Sequence, residues 1–79
     1  MLKMPNRRTY MKEILFNLAL LATINYCKEN KIDCSGSHLV QQQPRKFIYN
    51  LVRDRDGQTL VAVIFHKDRV PTYWRNKNI

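Results

Sequence analysis

FIYNLV-RDRDGQ-TLVAVIFH, residues 47–66, is the stretch whose reading decides how this chain folds. Two runs rich in β-branched and aromatic residues flank a short charged link containing Asp56-Gly57, and that pattern predicts a β-hairpin. Side chains of a strand alternate between its two faces, so the register decides which residues share a face. A two-residue turn at Asp56-Gly57 pairs Leu51 with Ala62 and Tyr49 with Ile64. A four-residue loop over 54–57 slides the pairing by two residues and keeps the same sets together. One face then carries Phe47, Tyr49, Leu51, Leu60, Ala62 and Ile64, and the other carries Ile48, Asn50, Val52, Val61, Val63 and Phe65. A three-residue loop with a bulge redistributes these sets, but both faces are apolar in every register.

Upstream of the hairpin, nothing between Tyr10 and Glu29 breaks a helix, and the spacing predicts one over residues 9–30. Asn6 or Thr9 offers a side-chain oxygen for an N-cap, while Lys28, Asn30 and Lys31 gather where cations and a left-handed cap are favoured. The helix has two apolar stripes. Met11, Ile14, Leu15, Leu18, Leu21 and Ala22 form one, and Phe16, Leu20, Ile24 and Cys27 form the other. A surface helix needs only one such stripe, so two imply burial on two sides.

The remaining segments are short. Residues 1–8 read as a basic arm, 38–42 as a third strand ahead of Pro44, and 70–79 as a basic aromatic tail. The expected architecture is α+β in a single domain over 1–79: one N-terminal helix followed by a two- or three-stranded antiparallel meander. One helix on one hairpin covers a single face of each, leaving more apolar surface than a monomer tolerates. The expectation is a homodimer joined through Phe16, Leu20 and Ile24, through the hairpin's second face, or through both. Tyr73 and Trp74 folding back would cover part of that face.

A chain of 79 residues with 44% apolar residues, two Gly and three Pro is globular rather than disordered. At this length it buries only about 60–65% of its unfolded surface, so its margin of stability is small. The run ILFNLALLA (14–22) is bordered or interrupted by Glu13, Asn17, Thr23 and Asn25, and so predicts neither an export signal nor a membrane span. With just two cysteines, Cys27 and Cys34, the expectation is a cytoplasmic protein with reduced thiols, although a bridge across so short a loop is the alternative.

Chemistry-bearing motifs are sparse. Cys27, Cys34, His38 and His66 are residue types that bind zinc, but C-x6-C-x3-H does not match the short loops that preorganise such ligands. Cys34 with His38 lacks a visible orienting group for nucleophilic catalysis, and Asp54 with Asp56 flanks Arg55 as turn residues do. No phosphate-binding glycine loop or dinucleotide fingerprint is present. The expectation is therefore no catalytic residue, no cofactor and no metal.

Charge is the stronger signal. Fourteen Lys and Arg against six Asp and Glu leave a formal charge of +8 and a pI near 9.9, a field that attracts polyanions. The cations expected to contact nucleic acid, DNA or RNA, are Arg7, Arg8, Arg53, Arg55, Arg75 and Lys77, with Trp74 placed to stack on a base. A two-stranded ribbon tipped by arginines also has the width to enter a major groove. The competing expectation is a protein-interaction module, of the sort phages and mobile elements encode, that docks on an acidic or apolar surface of a host protein. A third is attachment to an anionic membrane surface through the arm and helix.

Overall fold

The computed structural model describes residues 7–78 of the chain, with side chains from residue 12 onward. A helix, α1 (Arg7–Glu29), is followed by four strands, β1 (Ser37–Gln41), β2 (Ile48–Arg53), β3 (Thr59–Ile64) and β4 (Thr72–Arg75). They form one antiparallel meander in the order β1-β2-β3-β4, with the helix packed on β2 and β3. Among the described residues no helix is long and apolar enough to cross a membrane. Most of the expected basic arm, residues 1–6, lies outside the described residues, and of the two expected caps Thr9 lies inside the helix.

The helix ends where the sequence concentrates its stop signals. Lys31 takes the left-handed conformation at φ 56°. The amide of Ile32 donates to the carbonyl of Cys27 at 2.9 Å, and that of Lys31 to Lys28 at 3.4 Å. This pair of bonds satisfies carbonyls that the helix leaves without partners, and Ile32 packs back on the core that holds Cys27.

The sheet-facing line of α1 is Ala19, Thr23 and Cys27, all fully or almost fully buried, and only Cys27 of the three belongs to one of the two expected apolar stripes. Small side chains at these positions let the helix backbone approach the sheet closely. Leu15 and Ala22 from one stripe and Leu20 from the other straddle this line and pack on the core's margin. The Thr23 hydroxyl donates back to the carbonyls of Ala19 and Leu20 at 2.9 and 3.0 Å, so its burial leaves no polar atom unpartnered. Burial pushes the Cys27 thiol up to about 11, with neighbouring Cys34 adding to the effect; both thiols are free.

The hairpin exists, but its faces are not those expected from strict alternation. The tip follows the four-residue loop, with the amide of Arg53 donating to Gln58 and that of Gly57 to Arg53, each at 2.8 Å. Gly57 sits at φ 69°, a conformation that accounts for its place in the turn. Beyond the tip a bulge intervenes: Val52 pairs with Thr59, yet Leu51 pairs with Val61. Leu60 is the extra residue, and Leu60 and Val61, successive in sequence, both enter the core. From there on the register differs by one. Tyr49, Leu51, Val61 and Val63 pack beneath the helix, while Ile48, Asn50, Ala62 and Ile64 share the opposite face.

A second correction concerns the tail, which is a fourth strand. Residues Thr72–Arg75 pair with Ile64–Val61 along the edge of β3 rather than folding over the sheet. Successive side chains therefore part company. Tyr73 stacks on Tyr26 of the helix, with ring centroids 4.6 Å apart and planes 14° from parallel, whereas Trp74 lies on the other side. All four β4 residues are exposed, and no apolar run announces such a strand.

Candidate nucleic-acid interface

Partners across an antiparallel sheet share a face, so the uncovered side of the meander can be read as three rows. His38, Val52 and Thr59 form one, and Val40, Asn50, Ala62 and Trp74 the next. The third runs from Gln42, whose amide donates to Ile48 at 2.9 Å, through Ile48 and Ile64 to Thr72. No carboxylate occurs in any row. Ile48, Asn50, Ala62, Ile64 and Trp74 line a shallow trough in which Trp74 remains 49% exposed.

The same topology sorts the charges. In a meander the β1–β2 and β3–β4 connections fall at one end and the β2–β3 connection at the other. The helix starts beyond the first of these ends, because Phe16 meets Tyr49 and Lys12 lies near Gln41. It finishes at the second, where Lys31 and Ile32 adjoin the hairpin tip.

At the end holding the helix start stand Arg7, Arg8 and Lys12 on α1, Arg45 and Lys46 in the β1–β2 connection, and Lys67 and Arg69 in the β3–β4 connection. Only Glu13 and Asp68 oppose these seven. The partial positive charge of a helix N-terminus reinforces them. Arg69 approaches the ring of His66 at 3.4 Å, and His66 in turn bonds the Thr72 hydroxyl.

At the tip end, Lys28, Lys31, Arg53, Arg55, Arg75 and Lys77 meet Glu29, Asp33, Asp54 and Asp56. Both ion pairs found among the described residues are here. Arg53 donates twice to Asp56, at 3.0 and 2.6 Å, and His38 contacts Asp54. The Arg53 guanidinium holds the Asp56 carboxyl down at about 2, and bonds from the Ser35 side chain and amide lower that of Asp33. Both are thus anionic at neutral pH and compete with any phosphate that approaches.

The structure therefore regroups the residues singled out from sequence. Arg53, Arg55 and Arg75 do come together, in a depression between the helix C-terminus and the hairpin tip, but with Asp33 and Asp54 among its walls. Lys77 follows β4 at that same end, where Asn76 bonds Leu60 and Thr59. Arg7 and Arg8 belong to the opposite end, and Trp74 to the open face. The hairpin is not an isolated ribbon, since β1 and β4 flank it on both sides.

Lys12, Arg45, Lys46, Lys67 and Arg69 belong to the basic clusters of the sequence but were not among the residues expected to contact nucleic acid. A signal for four of them was present in the hairpin itself, because residues that bracket two paired strands on the outside must be neighbours. Of the dimer residues, Phe16 meets Tyr49 edge-on at 6.2 Å and Leu20 packs against the core, so both are partly engaged within the chain. Cys27 and Cys34 lie at the helix end and His66 at the other end of the sheet. Among the described residues no three His, Cys, Asp or Glu side chains converge as metal ligands would.

No protein-family model, curated protein or solved structure matches this chain.

Proposed function

We propose that this protein is a small, cytoplasmic, non-enzymatic regulator that binds nucleic acid through the cation-rich end of the sheet. The observation that carries the reading is the asymmetry just described: seven cations against two carboxylates gather where the helix starts and the β1–β2 and β3–β4 connections meet. Arg7, Arg8, Lys12, Arg45, Lys46, Lys67 and Arg69 neutralise phosphates there. Arg55, Arg75 and Lys77 contribute more weakly from the far end, and Arg53 least, because Asp56 already occupies its donors.

The test is binding of labelled duplex and single-stranded DNA and RNA as salt is raised. Each phosphate neutralised on duplex DNA steepens the slope of log affinity against log salt by about 0.9, so four contacts give a slope near −3.6. Affinity that is indifferent to salt would remove phosphate contact as the basis of binding.

A second reading rests on a different observation. Leu18 and Leu21, 49% and 60% exposed, project from α1 on the side away from the sheet. Apolar side chains so placed suit a protein partner or a second copy. Partners retained after nuclease treatment, or a dimer mass by light scattering at micromolar concentration, would favour this reading; a monomer that captures nothing once nuclease is added counts against it.

A further inference from the structure

We propose that the uncovered face of the sheet is a binding platform for single-stranded nucleic acid, with Trp74 stacking on an unpaired base. This deepens the nucleic-acid reading and rests on it.

Three features of the face point to this occupant. The first is Trp74, which stands half-exposed beside Ala62, Ile48 and Ile64 in a trough with no charged side chain among the residues named. A base offers such a surface a flat apolar ring, and stacking accepts any base because each has a π-face. The second is the polar ring around those apolar groups. Asn50 and Gln42 join their amides at 3.2 Å, and each retains donor or acceptor capacity that a base edge can use, as does the exposed Thr72 hydroxyl.

The third feature is charge complementarity. The rows that make this face hold no carboxylate of their own, Asp54 meeting His38 only at the tip end, and the third row ends against the connections bearing Arg45, Lys46, Lys67 and Arg69 with Asp68 as the one carboxylate among them. A strand whose bases lie on the trough can carry its phosphates over these cations. Trp74 is two residues from Thr72 at that end, about 7 Å along the strand, so both contacts fall within reach of neighbouring nucleotides. A duplex hides its bases and would set charged phosphates against Ile48, Ile64 and Trp74, whose burial would gain nothing. The bland alternative for Trp74, an edge residue packed away in the core, does not fit its exposure or its position opposite the helix.

Trp74 is the single tryptophan of the chain, so its emission reports on this face alone. The full-length protein is titrated with a thymidine or uridine homopolymer oligonucleotide, and with a duplex of equal length. Binding is followed in parallel by tryptophan emission and by the anisotropy of a labelled oligonucleotide. The expected result is tighter binding of the single strand, with emission quenched along the same isotherm as the anisotropy. Trp74→Ala weakens single-strand binding about ten- to a hundredfold, and Trp74→Phe restores most of it. Should Trp74→Ala loosen β4, Val40→Glu offers a second variant. It adds a carboxylate to the same row on the opposite edge strand, at a position 41% exposed, and weakens single-strand binding with the fold retained.

Anisotropy that rises while emission stays constant overturns the platform and leaves cation-driven binding standing. Preference for the duplex does the same. Emission that shifts with protein concentration alone, without oligonucleotide, assigns the face to a second copy and also overturns it. Failure to bind either nucleic acid at low salt removes the parent reading as well.

Discussion

At the hairpin-tip end of the sheet six cations share their surroundings with four carboxylates, whereas at the helix-start end seven face two. The difference in number is modest, but the difference in what those cations are committed to is large. Arg53 and Asp56 hold each other in a two-bond pair, Asp54 takes His38, and Asp33 closes its own turn through Ser35. Charge at that end stabilises a loop. At the other end no ion pair is found among the described side chains, Arg69 meeting only the ring of His66, and the charge lies where a helix dipole adds to its sign. The comparison teaches that a basic composition is not a site, because a cation's availability depends on which carboxylates the fold brings beside it.

The most demanding test of this contrast is charge reversal. Replacing Arg45, Lys46, Lys67 and Arg69 together by Glu is expected to lower polyanion affinity at least about a hundredfold at 0.1 M salt and to flatten the salt slope by about 3–4. The matching replacement of Arg55, Arg75 and Lys77 should change affinity several times less, as measured by the same anisotropy titration. Equal losses from the two ends would erase the distinction.

A smaller effect is expected at the Tyr26–Tyr73 stack that ties β4 to the helix. Tyr73→Ala removes a ring pair worth about 0.5–1.5 kcal/mol beyond its buried area, and urea denaturation should show that loss. Amide exchange should then rise in β4 ahead of β2 and β3, since β4 has just one neighbouring strand.

Lys31 tests the tip end from its helix side. Its left-handed backbone carries a strain of about 1–2 kcal/mol for a residue with a Cβ, while glycine costs about 0.4–1 kcal/mol through the unfolded chain. Lys31→Gly is accordingly expected to raise stability by about 0.5–1 kcal/mol in the same denaturation experiment. Because Lys31 belongs to the neutralised end, the gain should come with little change in polyanion affinity.

The least pronounced effect concerns acid. The Asp56 carboxyl lies at about 2 in the fold, below its ordinary 3.8, chiefly because Arg53 bonds it. A depressed carboxyl contributes stability that is complete above the unfolded value and is lost as pH falls through the folded one. Melting temperature should therefore decline between about pH 4 and 2, and Arg53→Ala should flatten that limb. An unchanged acid limb in Arg53→Ala would mean that the pair does not tie down the tip.

Much of the framework was legible in the chain itself. The helix, its left-handed stop near Lys31, the strand before Pro44 and the hairpin around Gly57 all follow from local rules: periodicity, caps and turn chemistry operate within a few residues. Two elements were not legible for the same physical reason. The bulge at Leu60 exists because two successive apolar residues both find room under the helix, and that depends on Ala19 and Thr23 allowing close approach. Strand β4 exists because β3 has an edge to pair with, although Thr72–Arg75 buries almost nothing.

By itself, then, the sequence determined the kinds of element, their order, the excess of positive charge and the presence of apolar residues on both faces of helix and hairpin. These are properties of composition and short-range spacing. Only the tertiary structure decided which apolar face is covered, that Tyr73 turns inward while Trp74 turns out, and which cations stand beside carboxylates. Each of these depends on distances between residues far apart in the chain, which a one-residue shift in strand register is enough to exchange.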